Sequence, residues 1–271
     1  MRRPKSSMIS QQELRQGRIV VVNADDFGAS HQINQAILQA FELRLISSAT
    51  MMANMPAFEE ACELVHQHHL QYRVGVHLNI TSGRPLTAAI ADCPRFCDGN
   101  GHWRPRRRVL TITRDEALAL EAEIDAQISA CERKAITPTH LDSHHHMHTE
   151  WGIAPVVIRA AKRHGIRAIR LAFNCGPRRE QASAMHRLLA RAYRSMHNAR
   201  LRYHELAKTD YFGDAADAGR VLQMTTADVE IMVHPCLDQG GRLLDLDGKD
   251  LERQIVALCI PPVAIRSYHG L

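Results

Sequence analysis

Residues 18–28 read RIVVVNADDFG: a short run of isoleucine and valines that ends in an asparagine, two adjacent aspartates and a glycine. A continuous apolar run of this length suits a strand buried on both faces, as in the parallel sheets of α/β proteins. The turn that follows it is not G-x-G-x-x-G, so the dinucleotide-binding fingerprint is absent. Carboxylates close the strand instead, and folds of this class place their chemistry where strands run out.

Working outward, the pattern repeats. Ser30 is placed to N-cap a helix over about residues 31–43, and strand and helix then alternate: strand 45–53, helix 57–68, strand 72–80. Residues 81–109 are irregular, with Gly83, Pro85, Pro94, Gly99, Gly101 and Pro105, and a loop of this length is a candidate substrate-binding lid. A helix over 114–134, a strand at 139–142, a helix at 154–164 closed by Gly165 and a strand at 168–172 follow. Helices over 178–207, a strand at 229–234, a helix at 251–258 and a short strand near 264–267 complete the reading. About seven strand–helix units predict a single-domain α/β fold, a TIM-like (β/α) barrel that is allowed to be incomplete, rather than an open doubly wound sheet. Residues 1–17 carry charge without an apolar segment and read as a flexible N-terminal tail, which leaves 18–271 as the catalytic domain.

A chain of 271 residues buries about three quarters of its unfolded surface, and 45% hydrophobic with 23% charged residues is an ordinary globular balance. The net charge of +5 is spread over 34 basic and 29 acidic residues, which argues against a dedicated nucleic-acid binder. The locally basic run RPRRR, Arg104 to Arg108, reads as a solvated loop. No apolar run reaches transmembrane length, so stable membrane insertion is not expected. Seven dispersed cysteines, an odd number, fit a reducing cytoplasm, and Cys93 and Cys97 lack the second pair that a zinc clip needs. A homodimer is the default expectation for assembly.

Four segments carry chemistry. Asp25 and Asp26 are like charges side by side, for which a cation is the simplest relief, although they also suit a plain turn toward Gly28. His77 stands in the apolar strand GVHLN, where a satisfied core histidine is the bland alternative. The stretch HLDSHHHMH, 140–148, crowds five histidines near Asp142; if it stays extended, Asp142, His144, His146 and His148 share one face. His234 closes the strand VEIMV ahead of Pro235. Catalytic metal sites take about three protein ligands from different elements, and together these segments supply them.

NADDFG at the first strand, GVHLN at the third and PTHLDSHHHMH at the fourth resemble the YdjC-like (ChbG) carbohydrate deacetylase family, in the same order and over most of the chain. The resemblance implies a partial TIM-type barrel in which one divalent metal ion, magnesium or zinc, serves removal of the acetyl group from N-acetylated sugars. By matching positions, Asp26, His77 and His144 are implied as metal ligands, Asp25 as general base and His234 as proton donor to the departing amine. The family's HPG is His234-Pro235-Cys236 here, which alters a local turn. Arg170, at the end of the fifth strand, is a candidate for contact with sugar hydroxyls, with a structural salt bridge as the alternative, and Asp142 or His146 could orient the ligands. Two other readings stay open: another TIM-barrel metallohydrolase of amidohydrolase or phosphoesterase type, and a metal-binding protein without catalysis that uses its 17 histidines and 10 methionines.

Overall fold

The structure is a computed structural model that describes residues 17–176, 183–269 and 271. The expected tail over 1–17 therefore lies outside the described residues except for Gly17, as does part of the helical stretch expected over 178–207.

Strand β1 (Val20–Phe27) occupies the middle of a six-stranded sheet. On one side follow β2 (Ser48–Met51), β3 (Val74–Leu78) and β4 (Leu141–Ser143); on the other lie β6 (Val229–Val233) and then β5 (Tyr211–Asp214). Every neighbouring pair is parallel. Because strands buried on both faces need no polar side, β1, β2, β3 and β6 bury nearly every residue, and the apolar runs in the sequence follow from that. Helices α1 (His31–Glu42), α2 (Phe58–Gln67), α4 (Arg114–Arg133) and α5 (Ala154–Arg163) turn their apolar faces to the sheet, and a four-residue turn, α3 (Ala88–Ala91), interrupts the long loop. The Ser30 hydroxyl accepts the Ile33 amide at the start of α1, as expected of an N-cap.

Residues 81–109 are anchored rather than structureless. Ile90, Phe96 and Trp103 are buried, and Glu123 on α4 accepts the amides of Leu86 and Thr87 and the Thr87 hydroxyl. The loop thus enters the core by its own apolar residues while its second half, including Arg106 to Arg108, runs along the site.

The second half of the chain departs from expectation. The strand expected at 168–172 shrinks to one bridge, Leu141 with Ile169, and the segment then hands on to β5 through the Asn174 amide and the Phe212 carbonyl at 3.0 Å. It fills the gap between the two edge strands with irregular backbone, so the six strands curl into an incomplete barrel with a stitched seam. The strand expected near 264–267 is likewise a single bridge, Val20 with Ile265. After α6 (Ala184–Tyr203) come β5 and α7 (Ala215–Met224), neither of which the hydrophobic pattern announced. An antiparallel hairpin of β7 (Pro235–Leu237) and β8 (Leu243–Asp245), unanticipated as well, precedes α8 (Leu251–Ala257).

Candidate metal centre and cavity

Where β1 ends, its pairing with β2 slips between Ala24 and Phe27, and Asp26 takes a left-handed φ of 69°. Aspartate tolerates that conformation better than most residues, and the kink sends the two carboxylates different ways. Asp25 is almost fully buried at 2% exposure and Asp26 is partly exposed, and both border the cavity.

Asp26 faces His77. His77 Nδ1 lies 2.7 Å from Asp142 Oδ1, which can only accept, so Nδ1 carries a proton. Thr50 Oγ1 stands 3.1 Å from the same nitrogen and donates to Asp142 Oδ2, fixing the pair. The other ring nitrogen, Nε2, is 3.1 Å from Asp26 Oδ1, a buried oxygen with no other hydrogen-bond partner among the described residues. Burial disfavours charge on His77, but Asp142, Asp25 and Asp26 outweigh it and push its pKa well above the usual histidine range. The field that favours a proton on this ring also favours a divalent cation beside it.

The strand of histidines ends early. The chain leaves β4 after Ser143 and enters a tight 3₁₀ turn, His144–Thr149, in which His145 and His146 have φ of 56° and 57°. The single extended face expected for Asp142, His144, His146 and His148 is therefore not formed. His144 instead lies across from His77, ring centroids 6.0 Å apart, with its Nδ1 held 2.8 Å from Thr81 Oγ1. Burial, aided by the charge on His77, pushes the His144 pKa down to about 4, so it is neutral and has a lone pair to offer. His145 stacks on His144 at 3.8 Å, and His148 is buried against Ser143 and the Arg170 carbonyl.

Arg170 has no exposed surface, which favours the structural salt bridge over contact with sugar hydroxyls. Its guanidinium gives two 2.7 Å bonds to Asp25, lies 2.6 Å from Asp142 Oδ2 and gives a third bond to Glu230 at 2.6 Å, whose other oxygen accepts from Tyr268. One cation thus stitches carboxylates from β1, β4 and β6. Burial works against the Asp25 carboxylate, but Arg170, His77 and His234 prevail and hold its pKa far below the usual carboxylate range. His234 Nε2 stands 3.8 Å from Asp25 Oδ2 and lines the cavity, while its backbone amide donates to Asp245 at 2.9 Å. The β7–β8 hairpin therefore clamps this histidine; the signal in the sequence was Gly240-Gly241 between two short apolar runs.

Two donor sets compete for a cation. Asp25, His77 and Asp142 offer atoms within 4.8 Å of one another, but Arg170 and the His77 ring already occupy those carboxylates. Asp26 Oδ1 and His77 Nε2, 3.1 Å apart at the cavity and not engaged by Arg170, are the freer pair, and the neutral His144 lies across from them with its ring centroid 6.0 Å from that of His77. Above them opens a cavity of about 1630 Å³, larger than the usual small-molecule pocket. Arg106, Arg107 and Arg108 line one wall, so the RPRRR run is not the plain solvated loop expected from composition. Nε and Nη2 of Arg107 are buried there without hydrogen-bond partners among the described residues.

The family model described as YdjC-like protein matches residues 19–261. A carbohydrate deacetylase of Geobacillus stearothermophilus is 34% identical over 223 residues, 80% of this chain and 79% of that protein. Another carbohydrate deacetylase, from Halalkalibacterium halodurans, is 39% identical over 150 residues, 54% of this chain and 61% of that protein. Among solved structures, a putative cellobiose-phosphate cleavage protein from Enterococcus faecalis V583 superposes with a TM-score of 0.66 at 19% identity, covering 93% of this chain and 97% of that one, which is a likeness of fold. The chain belongs to the YdjC-like protein family.

Proposed function

We propose that this protein is a metal-dependent hydrolase that removes the acetyl group from an N-acetylated sugar, a chito-oligosaccharide or an N-acetylglucosaminyl conjugate. The carrying observation is His77, held by Asp142 on one nitrogen and presenting the other, at 3.1 Å, to a buried Asp26 oxygen at the floor of a cavity. The names of the relatives support the substrate class.

Asp26, His77 and His144 would hold the ion. When bound, a divalent cation supplies a Lewis acid that activates water and polarises an acetamide carbonyl. Arg170 keeps Asp25 ionised, so its carboxylate is in the accepting form; the same two bonds weaken it as a base and fix its position. His234, 3.8 Å away and open to the cavity, is the group that can deliver a proton to a departing amine. Asn23 and Thr50, both buried, also donate to Asp25 and Asp142, so the two carboxylates that flank the ligands are fixed in place.

The test is acetate release from N-acetylglucosamine oligosaccharides with and without chelator, in parent, Asp26→Asn and His144→Ala proteins. Acetate that disappears with chelator and falls by about 10²-fold or more in both variants supports the reading. Metal binding without acetate release, but with turnover of phosphate esters, would move it to the phosphoesterase alternative.

A further inference from the structure

Helix α6 carries a surface that neither the core nor the catalytic groups use. Its sequence, AMHRLLARAYRSMHNARLRY, holds Arg187, Arg191, Arg194, Arg200 and Arg202 and no acidic residue. Only His197, Asn198 and Leu201 are buried. Met185, Leu189 and Met196 are 63%, 59% and 51% exposed, and with Ala192 they recur at spacings of four, three and four, which places them on one stripe. Leu188, also exposed, widens that stripe toward the cavity, which Leu188, Arg191 and Arg194 line. Arg200, stacked over the Trp151 ring at 3.9 Å, flanks the stripe from the other side.

A ridge of leucine and methionine calls for cover, and the charge of the helix says of what kind. The α6 of a second copy would set arginines against arginines, with no carboxylate on either helix to offset them. The stripe is a convex ridge rather than a groove, suited to entering a soft surface. A basic helix with large aliphatic residues on one side lies at the boundary of lipid headgroups and acyl chains, its arginines at the phosphates. We propose that α6 docks this protein on an anionic lipid surface, with the mouth of the cavity turned toward the headgroups. This is peripheral attachment: no helix among the described residues is long and apolar enough to cross a membrane.

The experiment is flotation of the full chain with phosphatidylcholine vesicles, with and without phosphatidylglycerol, for the parent, the double variant Leu189→Gln/Met196→Gln and Arg202→Gln. None of these three residues lines the cavity, and melting curves report their folding. The expected result is partition to phosphatidylglycerol vesicles that salt reverses, weakened on the order of tenfold in the double variant and severalfold in Arg202→Gln. Absence of partition at low salt, or equal partition of the double variant, overturns the proposal. So does a dimer in light scattering that the double variant splits, which would assign the stripe to a second copy. Binding of α6 to polyglutamate without vesicle partition would assign it to an acidic protein and overturn it as well. Because flotation reads no hydrolysis, its failure leaves the deacetylase reading untouched.

Discussion

Arg170 is the residue on which the centre turns. A guanidinium without exposed surface that engages Asp25, Asp142 and Glu230 cannot be removed without leaving buried carboxylates uncompensated. Arg170→Gln should therefore lower unfolding free energy by about 3–5 kcal/mol in urea titration, and Arg170→Lys should not restore it, because a point charge cannot replace the fork that meets Asp25 with two bonds. A loss under about 1 kcal/mol would show that the network is dispensable. Asp142 acts through His77: with Asn at 142 the imidazole loses the partner that fixes its tautomer, and zinc affinity by titration calorimetry should fall about 10–100-fold while the circular dichroism spectrum stays folded. Unchanged affinity would remove His77 from the ligand set. The sequence displayed Asp25, Asp26 and His234 at strand ends and His77 within an apolar strand, local signals, whereas the choice of His144 among five crowded histidines came from the family resemblance. For Arg170 the sequence allows both a contact with sugar hydroxyls and a structural salt bridge, and only its partners on β1, β4 and β6 decide between them.

Among the elements, the first half of the barrel was legible because each strand is an apolar run and each helix has the spacing of an amphipathic face. The long helix expected over 114–134 is α4, Arg114–Arg133, opened by a capping box between Thr113 and Glu116. The second half was not. β5 reads YFGD, too short and glycine-broken to stand out, and its place in the sheet comes from pairing with β6 rather than from its own propensity. The segment at 168–175 gave up its ladder to Leu206, Leu141 and Phe212 in turn, a tertiary compromise that no periodicity encodes. Gly75 shows how tightly the legible half is set. A Cβ there would meet His140 Nδ1 and the His140 carbonyl oxygen, each at 2.5 Å, so only glycine lets β3 lie against His140, the residue that leads into β4 two positions before the His77–Asp142 pair. Gly75→Ala should cost about 1–3 kcal/mol or more and shift the melting temperature down accordingly. A melting curve that matches the parent's would mean that His140 moves aside at little cost.

Across the whole molecule, the buried histidines tie stability to pH. His140, His148 and His197 are each almost without exposed surface, and burial lowers the pKa of all three, that of His197 to about 4 with Arg200 adding to the effect. Its Nε2 has no hydrogen-bond partner among the described residues, so the site favours the neutral ring. An unfolded histidine titrates near about 6.5, so between that pH and about 4 the unfolded chain takes up a proton that folded His197 refuses. The stabilisation that comes from keeping the ring neutral is complete above the unfolded value and is lost as pH falls toward the folded one. Between about pH 7 and about pH 5 this single group accounts for roughly 2 kcal/mol of lost stability. His77, raised by its carboxylates, contributes with the opposite sign, and comparison of parent with variant cancels its share. His197→Gln should therefore be less stable than the parent near pH 7, where a packed ring is lost, yet should lose less on acidification, so that the two urea midpoints converge by pH 5. Parallel midpoints at both pH values would show that His197 takes a proton in the folded state, and the acid sensitivity would then belong to His140 and His148 beneath the barrel seam.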